Sequence, residues 1–119
     1  MRILPIIACA AFVLALAATP SRVSAQDGAA AYEKSCAMCH GGEGKGDGPA
    51  AAAMDPAPPD LTNADGTGKL TDEQLSEVIE NGKGSMPGFG AMLKPEEAKA
   101  LAAYVRSLSA EEKAEKKKE

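Results

Sequence analysis

The sequence predicts a small all-α domain built from short helices. Apolar residues recur at helical spacing in two segments, one between Thr71 and Gly82 and one from Pro95 to Leu108. A third helical segment begins near Asp27 and leads into a Cys-x-x-Cys-His motif at residues 36–40. The stretches between these segments are rich in glycine and proline, which favour loops over helix.

The motif Cys36-Ala37-Met38-Cys39-His40 carries the chemistry of the chain. On a helix, positions three and four apart share a face, so both sulfurs and the imidazole converge on one object. This order of residues is the attachment sequence of a c-type haem. We therefore predict one covalently bound haem c, held by thioether bonds from Cys36 and Cys39, with His40 on the iron.

Other roles for the cysteine pair fit the sequence less well. A zinc site needs three or four ligands, and the chain after residue 25 has no cysteine or histidine beyond the motif. A thioredoxin-like redox centre needs a βαβ context, which the alanine- and glycine-rich flanks do not provide. A plain disulfide stays an alternative, although it leaves the histidine without a role.

Residues 1–25 are predicted to be a cleaved secretory signal peptide. Arg2 forms a short positive region, the segment from Ile3 to Ala18 is apolar, and Val23-Ser24-Ala25 supplies small residues at the cleavage positions. An uncleaved membrane anchor is the main alternative, because the apolar run is near the minimum length for a spanning helix. Lipid attachment at Cys9 is disfavoured by the apolar residues that follow it. We thus expect a periplasmic bacterial protein without stable membrane insertion.

After cleavage, residues 26–108 are predicted to form the haem domain and residues 109–119 a charged, solvated C-terminal extension. The full chain has 13 basic and 17 acidic side chains and a net charge of −4, and cleavage would remove Arg2 and Arg22. This acidity disfavours nucleic acid as a partner. The few aromatic residues leave much of the interior to be supplied by the haem, so we expect the haem-free chain to be largely unfolded.

Local signals predict where the helices begin and end. Asp27 is the expected N-cap of the first helix, which Gly41-Gly42 should end. The segment Thr71-Asp72-Glu73-Gln74 has the spacing of a capping box, and Asn81-Gly82 should end that helix. Pro95 suits the first turn of the last helix. The buried stripe of that helix is predicted to consist of Ala98, Leu101, Ala102, Val105 and Leu108.

The sixth iron ligand decides between electron transfer and chemistry on a bound molecule. The chain has no second histidine, so the candidates are the thioethers of Met54, Met86 and Met92. Met38 is too close to His40 to reach the opposite side of a haem. Met86 is favoured because it follows a helix in a glycine-rich loop and precedes a proline that biases it toward extended backbone. Met54 and Met92 stay as alternatives.

The sequence resembles the small monohaem class I cytochromes c of bacteria. The matching segments span most of the predicted haem domain: Cys36-Ala37-Met38-Cys39-His40-Gly41, Gly46-Asp47-Gly48-Pro49, Pro58-Pro59-Asp60-Leu61-Thr62, Gly84-Ser85-Met86-Pro87 and Leu101-Ala102-Ala103-Tyr104-Val105. The resemblance implies the class I cytochrome c fold, with three to five short helices wrapped around one covalently bound haem and the terminal helices crossing. It also implies that Met86 is the distal ligand and that the Pro49 carbonyl accepts a hydrogen bond from His40. Unlike some relatives, the chain has no tryptophan to bind a haem propionate.

Together these features predict a soluble periplasmic one-electron carrier, a monomer and not an enzyme, with His40 and Met86 as axial ligands. With protein ligands at both axial positions, the iron changes charge without exchanging ligands, which favours electron transfer. The expected partners are redox proteins, a donor dehydrogenase or reductase and an acceptor oxidase or reductase. The alternative is a cytochrome c subunit permanently associated with a periplasmic dehydrogenase or reductase complex. An enzyme or gas sensor would require that Met86 does not bind the iron.

Overall fold

The computed structural model describes residues 25–118, so the predicted signal sequence up to residue 24, including Cys9, lies outside the described residues. The described chain forms four α-helices and no β-sheet, which confirms the predicted all-α class. None of these helices is long and apolar enough to cross a membrane. The helices are α1 (Ala25–Ser35), α2 (Ala37–His40), α3 (Asp72–Asn81) and α4 (Pro95–Lys116), with 3₁₀ turns at Ala51–Ala53 and Thr67–Lys69.

The first helical region is interrupted at Cys36, which separates α1 from α2. Helical bonding nevertheless continues through the break, because the His40 N–H donates to the Cys36 carbonyl at 2.9 Å. α1 begins ahead of the predicted N-cap, so Asp27 lies in its first turn, where a carboxylate complements the positive helix end. α2 ends at Gly41, whose φ of 80° lies in the left-handed region that favours glycine. The predicted stop at this glycine is confirmed.

α1 crosses α4 at Gly28. A Cβ atom at Gly28 would lie 2.4 Å from the carbonyl oxygen of Ala100, so only glycine allows this close approach. Next to the crossing, the ring of Tyr32 packs with its centroid 5.1 Å from that of Tyr104. The Tyr32 hydroxyl donates a hydrogen bond of 2.7 Å to the carbonyl of Gly41. The crossing therefore fixes the motif segment against the last helix.

α3 begins with the predicted capping box. The backbone N–H of Gln74 donates to the Thr71 hydroxyl at 3.2 Å, and the backbone N–H of Thr71 donates to the Gln74 side chain at 2.9 Å. Arg106 on α4 donates to the carboxylate of Asp72 and to the carbonyl of Leu70. These bonds tie the start of α3 to the middle of α4.

The core lies where α1, α3 and α4 meet, and it includes the whole predicted stripe of α4. Its buried members are Tyr32, Leu61, Leu75, Ile79, Ala98, Leu101, Ala102, Val105 and Leu108. α4 does not stop after this stripe but continues through residues 109–116. Ser109 is buried and its hydroxyl donates to the carbonyl of Arg106 at 2.9 Å. Residues 109–116 of the predicted C-terminal extension are therefore helical.

Candidate functional site

An apolar cavity of about 600 Å³ opens beside the core. All four helices contribute to its walls, together with the proline-rich segment 56–59 and the loop 83–89. Both cysteines and the histidine of the motif line this one space, as the helical spacing predicted. The other main lining residues are Tyr32, Met54, Leu61, Leu75, Ile79, Met86, Phe89, Leu101 and Val105.

The motif residues present a partly buried surface to the cavity. Cys36 and Cys39 are free thiols, each half-buried. Burial, with a smaller contribution from the neighbouring Cys39, raises the pKa of Cys36 to about 11, so its sulfur stays protonated near neutral pH. Neither thiol is tied up in a disulfide, which leaves both available to another group.

His40 is only 8% exposed, and its Nδ1 atom has no hydrogen-bond partner among the described residues. Burial lowers the pKa of this imidazole, while interaction with the backbone of Pro59 acts in the opposite direction. The net shift favours the neutral ring, which is the form that binds a metal. A buried polar atom without a partner is rare in proteins and often marks a functional group.

The predicted hydrogen bond from His40 to the Pro49 carbonyl is not formed in this structure. The backbone N–H groups that flank Pro49, at Gly48 and Ala50, donate to carbonyls of the motif helix instead. A Cβ atom at Gly48 would lie 2.4 Å from the Met38 carbonyl, so this segment packs closely along α2. The role of Pro49 in the haem-loaded protein stays a prediction.

The structure separates the methionine candidates by position. Met86 and Met54 are half-buried and both line the cavity. Met92 is 71% exposed and Met38 is 61% exposed, and neither belongs to the cavity wall. Of the three methionines considered from the sequence, two therefore lie where they can reach a group held by the motif.

Met86 sits in a tight loop pinned to the end of α3. Its backbone N–H donates to the Lys83 carbonyl at 3.0 Å, and the Lys83 N–H donates back at 3.1 Å. A Cβ atom at Gly82, where φ is 78°, would lie 2.5 Å from the Met86 carbonyl. Beyond the turn, the Phe89 N–H donates to the carbonyl of Ile79 at 2.9 Å. The loop is thus anchored to α3 on both sides of the thioether.

The proline-rich wall is the part of the site that the sequence did not reveal. The sequence indicated only that these residues belong to a loop, and the structure places residues 56–59 along the wall of the cavity. The Leu61 N–H donates to the Gly44 carbonyl at 2.7 Å, and a Cβ atom at Gly46 would lie 2.5 Å from the Pro58 carbonyl. The apolar side chains of the three prolines were the one sequence feature that could have indicated a cavity wall. Proline is also common in surface turns, so this feature did not distinguish the two locations.

The donor set and the cavity fit a haem. The cavity is apolar, two free thiols and a buried imidazole share its wall, and a thioether enters from a distant loop. A site for a bare metal ion is less compatible, since residues 25–118 bring together no group of three or more His, Cys, Asp or Glu side chains that could hold one. Fold and site thus define a class I cytochrome c, whose cofactor is covalently bound haem c.

Residues 23–105 match the family described as "Cytochrome C oxidase, cbb3-type, subunit III", and the chain belongs to this family. The chain is 38% identical to cytochrome c6 of Anabaena variabilis, over 66% of this chain and 85% of that protein. It is also 35% identical to the cbb3-type cytochrome c oxidase subunit FixP of Bradyrhizobium sp. (strain ORS 278), over 87% of this chain. The match covers only 34% of the length of FixP.

Two solved structures are similar to this fold. The KustC0563 c-type cytochrome matches 69% of this chain and 96% of its own, with a TM-score of 0.58 and 33% identity. A chain of the Kuenenia stuttgartiensis reducing HAO-like protein complex Kustc0457/Kustc0458 matches 75% of this chain and 44% of its own, with a TM-score of 0.63 and 31% identity. Membership of this family makes the chain a c-type cytochrome, a class of electron-transfer proteins.

Proposed function

We propose that the protein carries single electrons between redox partners in the periplasm, with haem c attached to Cys36 and Cys39 and with His40 and Met86 as axial ligands. The observation that carries this proposal is the shared cavity, in which a methionine from a loop after α3 joins the motif residues. The orphaned Nδ1 of His40 and the neutral thiol of Cys36 are further support.

Each side chain has a defined task in this proposal. When bound, haem c supplies an iron that gains and loses one electron. The thiols of Cys36 and Cys39 would hold the haem through two thioether bonds, each formed by addition of one S–H across one vinyl group. His40 and Met86 would bind its iron and exclude water and other ligands from it, and a thioether ligand favours the reduced state.

Replacement of the two cavity methionines tests the ligation directly. In the haem-loaded ferric protein, Met86→Ala should abolish the near-infrared absorption that arises from sulfur-to-iron charge transfer. Met54→Ala is the matched control, because this thioether also lines the cavity, and it should leave the band intact. An unchanged band in Met86→Ala would refute Met86 as the iron ligand. If Met54→Ala loses the band in addition, Met54 is the ligand instead.

The periplasmic location rests on the predicted signal peptide. Sequencing of the exported protein from its N-terminus should begin at Gln26. A first residue within the segment from Met1 to Ala25, or recovery with the membrane, would favour the uncleaved anchor instead.

A second candidate function is that of a subunit held permanently in a larger redox complex. Two similarities favour it: FixP is named as an oxidase subunit, and one similar solved chain belongs to the reducing HAO-like complex. The chain spans 34% of FixP and 44% of that solved chain. Size-exclusion chromatography of a native extract separates the candidates. A free carrier should elute at the size of the small chain, whereas a subunit should elute with a much larger partner.

A further inference from the structure

We propose that Ser85 is a positioning residue whose hydroxyl ties the loop carrying Met86 to the adjacent, proline-rich wall of the cavity. The tie holds the methionine thioether in place against competing ligands. This inference rests on the proposed ligation by Met86 and assigns the task of stabilising it to a side chain that does not touch the iron.

The geometric basis is one hydrogen bond between two segments that are distant in sequence. The Ser85 hydroxyl donates to the Pro56 carbonyl at 3.1 Å. Both residues line the cavity, and Ser85 directly precedes Met86. The bond therefore closes one side of the cavity beside the proposed ligand.

The backbone of Met86 is held by its two hydrogen bonds with Lys83, and the rest of the base of the loop is held by bonds to α3. Within the described residues, the tip at residues 84–85 has no backbone bond to α3, so the Ser85 hydroxyl is the contact that ties it to another segment. At the base, the Phe89 and Gly90 N–H groups donate to α3 carbonyls, both at 2.9 Å. At the tip, Gly84 and Ser85 are exposed, and a Cβ atom added at Gly84 would meet nothing within 4 Å. An exposed tip with little packing is the part of a loop that opens most readily.

The wall that receives the hydrogen bond is well suited to act as an anchor. Proline fixes φ, so the run containing Pro56, Pro58 and Pro59 has few backbone conformations. The close approach of Gly46 to the Pro58 carbonyl and the 2.7 Å bond from Leu61 to Gly44 hold this run in place. A bond to a stiff partner restrains the loop more than a bond to a mobile one would.

Competition with free imidazole measures how firmly the thioether is held. Imidazole binds ferric iron only when Met86 leaves it, so its apparent affinity reports the opening of the loop. Ser85→Ala removes the hydroxyl and should raise the apparent imidazole affinity by roughly two- to tenfold, the range expected for the loss of one net hydrogen bond. Ser85→Thr keeps a hydroxyl and should restore the wild-type affinity.

Ser107→Ala is the matched control variant. It also removes a serine hydroxyl that donates to a carbonyl, that of Tyr104 at 2.6 Å, but Ser107 is not among the residues that line the cavity. Its imidazole affinity should equal that of the wild type. The Ser85 proposal is overturned if Ser85→Ala binds imidazole like the wild type, or if Ser107→Ala and Ser85→Ala shift the affinity equally.

Met86→Ala distinguishes a failure of this inference from a failure of the proposed function. If Met86→Ala binds imidazole no better than the wild type, Met86 is not a ligand and both proposals fail. If Met86→Ala binds more tightly and Ser85→Ala does not, only the role of Ser85 fails. Amide hydrogen exchange gives a second readout without added ligand: Ser85→Ala should speed exchange at Met86 and leave Ile79 in α3 unchanged, and equal exchange at Met86 would count against the tie.

Discussion

Tyr32 shows how a single buried hydroxyl can organise the site. Burial is the main cause that raises the pKa of this phenol, so it stays a neutral donor across the physiological range. Its hydrogen bond ends on the carbonyl of Gly41, the residue that directly follows His40. The hydroxyl thereby fixes the backbone on which the proposed proximal ligand is carried.

We expect Tyr32→Phe to lower the free energy of unfolding of the haem-loaded protein by about 0.5–1.5 kcal/mol, because the buried carbonyl of Gly41 loses one of its two donors and keeps the N–H of Gly44. Denaturant titration followed by circular dichroism measures this change. Tyr104→Phe is the control, since no hydrogen bond of the Tyr104 hydroxyl is found within the described part of the chain and its ring contact survives. If both variants lose the same free energy of unfolding, the hydrogen bond from Tyr32 to Gly41 does not contribute to stability.

The predictability of the site differed between its residues. The common location of Cys36, Cys39 and His40 was predictable, because one short motif on a helix brings them together. Local context favoured Met86, but exposure is set by tertiary packing, so only the structure removed Met92 from the cavity and kept Met54. Long-range contacts of this kind leave no local signal in one sequence.

At the scale of the elements, the crossing of α1 and α4 depends on the missing side chain of Gly28. We expect Gly28→Ala to lower the stability by about 1–3 kcal/mol, because its Cβ would overlap the backbone of α4. Alanine improves helix propensity by about 1 kcal/mol, so without this overlap the variant would be more stable than the wild type. A lower thermal midpoint for Gly28→Ala would support the close approach of the two helices, and a higher midpoint would contradict it.

Gly42→Ala serves as the control for that experiment. A Cβ atom at Gly42 would meet nothing within 4 Å, and its φ is not positive. Its effect should stay within about 0.5 kcal/mol. If Gly42→Ala loses as much stability as Gly28→Ala, the loss comes from replacing any glycine and not from the helix crossing.

The ends of the helices were predictable where local chemistry sets them. The capping box at Thr71 and the glycine at residue 82 act through nearby backbone groups, and both predictions are confirmed. The extension of α4 beyond Leu108 was missed, because residues 109–116 lack the apolar stripe on which the prediction depended. Alanine, glutamate and lysine are strong helix formers, and a helix already fixed by packing lengthens at little cost.

At the scale of the whole molecule, the haem is expected to act as a large part of the interior. A cavity of about 600 Å³ is lined mostly by apolar side chains of the core. Without a haem, the apolar side chains that line this open cavity would face water, and the burial that they contribute would be lost. A small domain is only marginally stable, so this loss would be enough to unfold much of the chain.

We therefore expect the double variant Cys36→Ala/Cys39→Ala to lose most of its helical signal and its cooperative thermal transition, because it cannot attach the haem. Far-ultraviolet circular dichroism of the purified chain measures this. Met86→Ala, which keeps both thiols, should retain the helical signal. A double variant with the circular dichroism of the wild type would show that the chain folds without its cofactor.

The walls of the cavity come from almost the full length of the described chain, from Tyr32 in α1 to Val105 in α4. The two thiols and the imidazole, in contrast, lie within a few consecutive residues near its start. A chain emerging N-terminus first thus carries its complete attachment sequence before any enclosing wall exists. We therefore expect the haem to be attached before the chain has folded. The later segments then fold around the attached haem.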